Sequence, residues 1–209
     1  MENIIVKSYV IGMVETNFYY MYREGHKECI VFDPADYGDR IYEILSGEGL
    51  EIKAIFLTHA HFDHMWGCEA LRKASGAPVY ISSEERELCQ DAYKNCSSIY
   101  GRATTLVPDF WLKDGEKVTA AGIEVQMLST PGHTEGSCCF YVEEGHILIC
   151  GDTLFEGSVG RTDLPTGSMS ALVRSIRTRL YVLPEDTVCY PGHGGVTTIS
   201  YEKQHNPFA

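Results

Sequence analysis

Between residues 4 and 33, apolar and polar positions alternate around short turns, the two-residue period of strands with one buried face. Within that stretch Phe18, Tyr19, Tyr20, Met21 and Tyr22 form an aromatic run suited to the pleated surface of a sheet. Asp33-Pro34 stops the last of these strands, because proline cannot donate to a ladder. The period then changes: Ile41, Ile44 and Leu45 fall at helical spacing in residues 37–48, which close at Gly47 or Gly49. Residues 52–57 read as a buried strand, and helical patterning resumes from about Met65 to Ser75. Gly76-Ala77-Pro78 turns into a strand at residues 79–81. Ser83 to Glu87 opens another helix, its acidic residues in the first turn, where the helix dipole favours them.

Residues 91–109 have weak periodicity and read as a loop bordering a site. Beyond Asp114-Gly115, residues 117–120 and 123–128 make a hairpin, and Glu143-Glu144-Gly145 turns into a strand ending near Asp152. Leu172, Val173, Ile176 and Leu180 share one face of a helix over residues 168–181, whose Arg174, Arg177 and Arg179 form a solvated face. Residues 187–190 are a last short strand. Strands, helices, strands and helices in that order predict an α/β (α+β) fold of two packed sheets with helices outside, residues 1–209 forming a single domain.

Composition narrows the function more than the fold. A formal net charge of −12 argues against nucleic acid, whose phosphates would be repelled. The start Met1-Glu2-Asn3-Ile4-Ile5 lacks the basic opening of a signal peptide, and no apolar run approaches the roughly 20 residues needed to cross a bilayer. A soluble, cytoplasmic protein without a membrane partner is expected. Eight cysteines contain no Cys-x-x-Cys pair and sit mostly in apolar patterns, so they read as small hydrophobes of a reducing compartment. Cys89 and Cys96 flank a polar segment and are expected to be the exposed thiols.

The candidate chemistry is concentrated at strand ends. Thr58-His59-Ala60-His61-Phe62-Asp63-His64 places three imidazoles and a carboxylate on a tight loop between strand and helix. Further donors recur after short apolar stretches: His133 in Thr130-Pro131-Gly132-His133-Thr134, Asp152 in Gly151-Asp152-Thr153, and His193 in Pro191-Gly192-His193-Gly194. Neutral imidazole and carboxylate suit zinc and similar ions, and the carboxyl ends of strands are the usual place for such sites. One ion needs about four donors, so seven point to two ions. His26, His146 and His205 stand outside this pattern and read as ordinary polar residues.

With these motifs the chain resembles the metallo-β-lactamase fold hydrolases, and within them the short, single-domain glyoxalase II (hydroxyacylglutathione hydrolase) branch. The segments that carry the resemblance are Thr-His-Ala-His-Phe-Asp-His, Thr-Pro-Gly-His-Thr-Glu-Gly-Ser and Gly-Asp-Thr-Leu-Phe-Glu-Gly-Ser-Val-Gly-Arg-Thr-Asp-Leu-Pro. The resemblance implies a four-layer αββα sandwich without the C-terminal helical glutathione-binding segment. It assigns His59, His61 and His133 to one metal and Asp63, His64 and His193 to a second. Asp152 bridges them together with a water or hydroxide, and Asp63, His64 and Asp152 stand at the centre of catalysis. Zinc comes first as the metal, with iron and manganese accepting the same donors. The implied activity is hydrolysis of a small thioester of the hydroxyacylglutathione type. The alternatives are a persulfide dioxygenase-like enzyme with one iron and a metal-binding module without turnover. Arg161 matches a basic contact to glutathione but can equally pair with Asp163, and Asp163 and Gly195 stand where such enzymes often carry tyrosines. The oligomeric state stays open.

Overall fold

The computed structural model describes residues 2–209. Six strands form the first sheet: β1 (Ile4–Ile11), β2 (Thr16–Arg23), β3 (Glu28–Phe32), β4 (Glu51–Leu57), β5 (Val79–Ser82) and β6 (Phe110–Leu112), side by side in chain order. β1, β2 and β3 are antiparallel, whereas β3 to β6 run parallel. Parallel neighbours require crossovers, and α1 (Gly38–Gly47) joins β3 to β4, while α2 (Phe62–Met65) and α3 (Cys68–Ser75) join β4 to β5. The second sheet comprises β7 (Lys117–Ala120), β8 (Ile123–Ser129), β9 (Cys138–Val142) and β10 (Ile147–Gly151). A small hairpin, β11 (Leu154–Phe155) with β12 (Ser158–Val159), follows β10. β13 (Val188–Pro191) and β14 (Thr197–Thr198) then complete that sheet in the order β14-β13-β10-β9-β8-β7. The remaining helices are α4 (Arg86–Gln90), α5 (Met169–Ser175) and α6 (Ile199–His205).

Alternation along the strands divides the core into three layers of side chains. Tyr19, Met21, Phe32 and Phe56 point into the space between the sheets and meet Val125, Met127, Phe140 and Ile149. Their neighbours Phe18, Tyr20, Val31 and Leu57 face outward, onto Ile41 and Leu45 of α1 and Leu71 of α3. On the far side Leu148 and Cys150 lie under Leu172, Ile176 and Ile199. The result is the helix–sheet–sheet–helix sandwich expected from the element order. Among the described residues no helix is long and apolar enough to cross a membrane.

Three local expectations change. Helix starts at Phe62 rather than near Met65, so Asp63 and His64 lie on a helical turn, not in the preceding loop. That turn is separated from α3 at Gly67, whose N–H donates to the Ala35 carbonyl at 3.2 Å instead of within the helix, and where a Cβ would stand 1.9 Å from the Pro34 carbonyl oxygen. Cys89 and Cys96 are buried, at 0% and 3% exposure, not exposed. Cys89 lies on the inward face of α4, where Leu106 of the 91–109 loop packs and its N–H donates to the Cys89 carbonyl at 2.8 Å, and Cys96, within that loop, lies in the wall of a cavity. Finally, the helix read over 168–181 stays α-helical only to Ser175 and widens into a π-turn over Ile176–Leu180.

Candidate metal centre

All four donor-bearing segments follow strand ends on one edge of the sandwich. His59 and His61 leave β4, His133 follows β8, Asp152 follows β10, and His193 follows β13. Asp63 and His64 come from the single turn of α2. The structure brings the seven together in three overlapping groups: His59, His61 and His133; His59, His64 and Asp152; and Asp63, His64 and His193. Within each group the donor atoms lie within 4.8 Å of one another.

Residues that sequence reasoning passed over hold these donors in place. Asp33, in the left-handed region at φ 48°, accepts the amide (2.8 Å) and hydroxyl (2.7 Å) of Thr58, and its Oδ2 lies 2.9 Å from His64 Nδ1. Glu85 is fully buried and accepts the Ala60 amide at 2.9 Å, the Gly136 amide at 3.1 Å and the Thr134 hydroxyl. One carboxyl thereby ties the first histidine loop to the loop that carries His133. Thr16 donates to Asp63 Oδ2 at 3.0 Å, and His133 Nδ1 lies 2.7 Å from the Arg161 carbonyl oxygen. The His193 loop is gripped from the other sheet: Asn17 donates to the Pro191 and Gly194 carbonyls (2.9 and 3.0 Å), and the Tyr19 hydroxyl donates to Pro191 (2.7 Å). Gly192 is needed for closeness, since a Cβ there would stand 2.3 Å from Asp152 Oδ1. Asp33 carried only a strand-stop signal, and Glu85 looked like any acidic first-turn residue.

The donor set fits divalent ions on internal grounds. His59 Nε2, His61 Nε2, His64 Nε2 and Asp152 Oδ1 are buried without a hydrogen-bond partner. His64 Nε2 and Asp152 Oδ1 lie 3.3 Å apart, close enough to attract but misaligned for a hydrogen bond. Each such buried orphan costs about 1–3 kcal/mol, and a bound cation removes that cost. Burial holds His59 well below the ordinary imidazole value, and burial with the neighbouring His133 brings His61 down to about 3. Both are therefore neutral, as metal ligands must be. Burial works against His64 and His193 too, but Asp33 and the other acids around His64, and Asp63 and Asp152 beside His193, raise them. Against burial, His64 in turn keeps Asp63 and Asp152 below the usual carboxylate range.

Over the donors opens a cavity of about 520 Å³, with Phe62, Ile99, Tyr100, Leu164 and Arg161 among its walls. Arg161 pairs with Asp163 through two bonds, both at 2.7 Å.

The profile of the metallo-beta-lactamase superfamily matches residues 12–193. The chain belongs to the metallo-beta-lactamase superfamily. Within the superfamily it is 36% identical over 200 residues to the probable metallo-hydrolase YqgX of Bacillus subtilis, covering 95% of this chain and 94% of that one. It is 32% identical to the hydroxyacylglutathione hydrolase GloC of Haemophilus influenzae, over 88% of this chain and 89% of that protein. Among solved structures it is similar to the BLEG-1 B3 metallo-beta-lactamase, with TM-score 0.92, 39% identity and coverage of 98% and 99%. It is also similar to the di-iron-bound form of TTHA1623, with TM-score 0.86, 34% identity and coverage of 97% and 100%. Membership makes this chain a metallo-hydrolase with a candidate His/Asp metal centre.

Proposed function

We propose that this metallo-hydrolase holds two divalent ions and cleaves a small thioester. His59, His61 and His133 would hold one ion, Asp63, His64 and His193 the other, and Asp152 would reach both. The observation that carries the two-ion reading is the position of Asp152 between the groups. Its Oδ1 lies 3.3 Å from His64 Nε2, and its Oδ2 lies 3.5 Å from His133 Nε2 and 3.6 Å from His193 Nε2. Zinc, iron and manganese all suit these donors, and the likeness to a di-iron protein adds weight to iron.

When bound, two such ions supply a nucleophile at neutral pH and polarise the scissile carbonyl. The chain's own residues orient the centre. Asp33 fixes the His64 ring through Nδ1, so that Nε2 faces the carboxylates of Asp63 and Asp152 at 3.6 and 3.3 Å, and the Thr16 hydroxyl steers Asp63. Asp63 and Asp152, both held ionised, carry no proton to give a leaving group. A thiol of pKa about 8.5 departs without one, whereas an amide nitrogen needs it. The likeness to the Haemophilus influenzae hydroxyacylglutathione hydrolase supports the same choice. A second reading, β-lactam hydrolysis, is favoured by the likeness to BLEG-1; it ranks below the first because its departing nitrogen needs a proton, which water would have to supply.

Elemental analysis of the purified chain, run beside hydrolysis of S-lactoylglutathione, simpler thioesters and a chromogenic cephalosporin, tests the reading. About two ions per chain with thioesters turned over faster than the cephalosporin is the expected result. One iron with oxygen uptake on a persulfide would replace hydrolysis by dioxygenase chemistry, and bound metal without turnover would leave a binding module.

A further inference from the structure

Arg161 is the one lysine or arginine among the described residues lining the cavity. Its Nε and Nη2 donate to the two carboxylate oxygens of Asp163, each at 2.7 Å, so a carboxylate beside it offsets its charge. The arginine of the adjoining loop, Arg102, is committed as well. It bonds Asp36 at 2.9 Å and stacks with its guanidinium carbon 4.0 Å from the Trp66 ring centre. A thiol carrier bearing carboxylates therefore meets here only cations whose charge a neighbouring carboxylate already offsets. What it meets is apolar. Phe62 and Tyr100 stack at 4.2 Å, and beside them Ile99 and Tyr100 leave 63% and 46% of their surfaces in water. Large apolar side chains exposed around a catalytic cavity mark a binding surface.

This wall is built in advance of any ligand. The Asn95 carbonyl accepts the Phe62 amide at 3.1 Å, and the Asn95 side chain donates to the Leu88 and Thr104 carbonyls at 3.0 and 2.9 Å. Trp66 Nε1 donates to the Arg102 carbonyl at 3.2 Å. The 91–109 loop is thus fastened to the helical turn that carries Asp63 and His64, and its apolar residues are held beside the donors.

We propose that the cavity takes thioesters whose thiol portion is an uncharged aromatic or alkyl group, with Ile99 and Tyr100 as its contact residues, and selects against glutathione esters. The proposal rests on the thioester reading above. Hydrolysis of such an ester breaks the C–S bond, water supplies the new C–O bond, and a carboxylate, a thiol and one proton are released.

The test compares S-benzyl 2-hydroxypropanethioate, the lactoyl thioester of benzyl mercaptan, with S-lactoylglutathione on the metal-loaded full chain, the shared acyl group leaving the thiol as the only difference. We expect kcat/KM for the benzyl ester to be about tenfold higher or more. Tyr100→Ala and Ile99→Ser should each lower it about tenfold through KM, and by more than they lower the glutathione ester. Asp163→Asn, which frees Arg161, should narrow the preference about fivefold. The inert thioethers 2-(benzylthio)ethanol and S-methylglutathione, titrated calorimetrically, give a readout independent of turnover. A preference for S-lactoylglutathione, or no response to Asp163→Asn, would overturn the proposal and leave the thioesterase reading intact. If neither ester is hydrolysed, the thioesterase reading fails and calorimetry decides the pocket. Tighter binding of the benzyl thioether, lost in Tyr100→Ala, would uphold its apolar character, and equal or weaker binding would overturn it.

Discussion

Asp33 Oδ2 lies 2.9 Å from His64 Nδ1, and the same carboxylate holds both the amide and the hydroxyl of Thr58. One side chain at the end of β3 therefore sets the tautomer of a donor imidazole and anchors the strand end from which His59 emerges. Partners of this kind typically govern metal affinity by about 10–100-fold. Asp33→Asn is expected to weaken zinc binding by about that factor while leaving the far-UV circular dichroism unchanged. Competition with a chromophoric chelator measures it, and an unaltered affinity would show that the His64 ring needs no such support.

Asp63 contributes the one carboxylate that belongs to the His64–His193 group alone. Asp63→Asn should empty that half of the centre and lower hydrolysis by about a hundredfold or more. Metal content and kcat/KM measured on the same sample separate the two effects. Wild-type turnover with one ion per chain would refute a two-ion mechanism.

Glu85 is expected to shape stability as well as site geometry. Burial raises its carboxyl to about 7, against the hydrogen bonds it accepts from Thr134, Ala60 and Gly136. The folded chain thus binds this proton more tightly than the unfolded chain. The associated stability is full below pH 4.5 and is lost as pH rises toward about 7, a difference of about 3 kcal/mol. Glu85→Gln removes that dependence but leaves one backbone N–H facing an amide nitrogen, at a cost of about 1–3 kcal/mol. The gap between variant and wild type, read from urea midpoints, should therefore narrow as pH rises from about 5 to about 8. A constant gap would mean that Glu85 does not titrate in this range.

Metal binding should itself be proton-linked. His64 and His193 hold their protons above the ordinary value of 6.5 in the metal-free chain, and both must lose them to bind an ion. Zinc binding at neutral pH is expected to release about one proton or more per chain, with affinity rising as pH increases. Calorimetry in two buffers of different ionisation enthalpy counts the protons, and no release would show that both imidazoles are already neutral.

The layered fold was legible because alternation in strands and the helical spacing of Ile41, Ile44 and Leu45 are local signals that tertiary packing did not override. The donors were legible for a related reason: each sits directly after an apolar run, and a strand end is visible in one dimension. What supports them was not. Asp33 and His64 are 31 positions apart, Glu85 and Gly136 are 51 apart, and no periodicity joins such pairs. Cys96 was misread because a polar neighbourhood in sequence says nothing about how far the loop that carries it is packed onto the rest of the chain. Gly67 gave no warning of the close crossing, since only the Pro34 carbonyl pressing on it from another segment makes a side chain intolerable there.

Four of the seven donors hang from the first sheet and three from the second, so the centre spans the seam between them. Phe32, Phe56 and Phe140 fill that seam, with ring centres 5.1–5.7 Å apart. These rings calibrate the instrument without touching its working parts. A slight slip of one sheet over the other is felt at the edge as a misplaced ligand, and a displacement of about 1 Å is enough to matter there. Loosening the aromatic seam would therefore shift the donors of one sheet against those of the other.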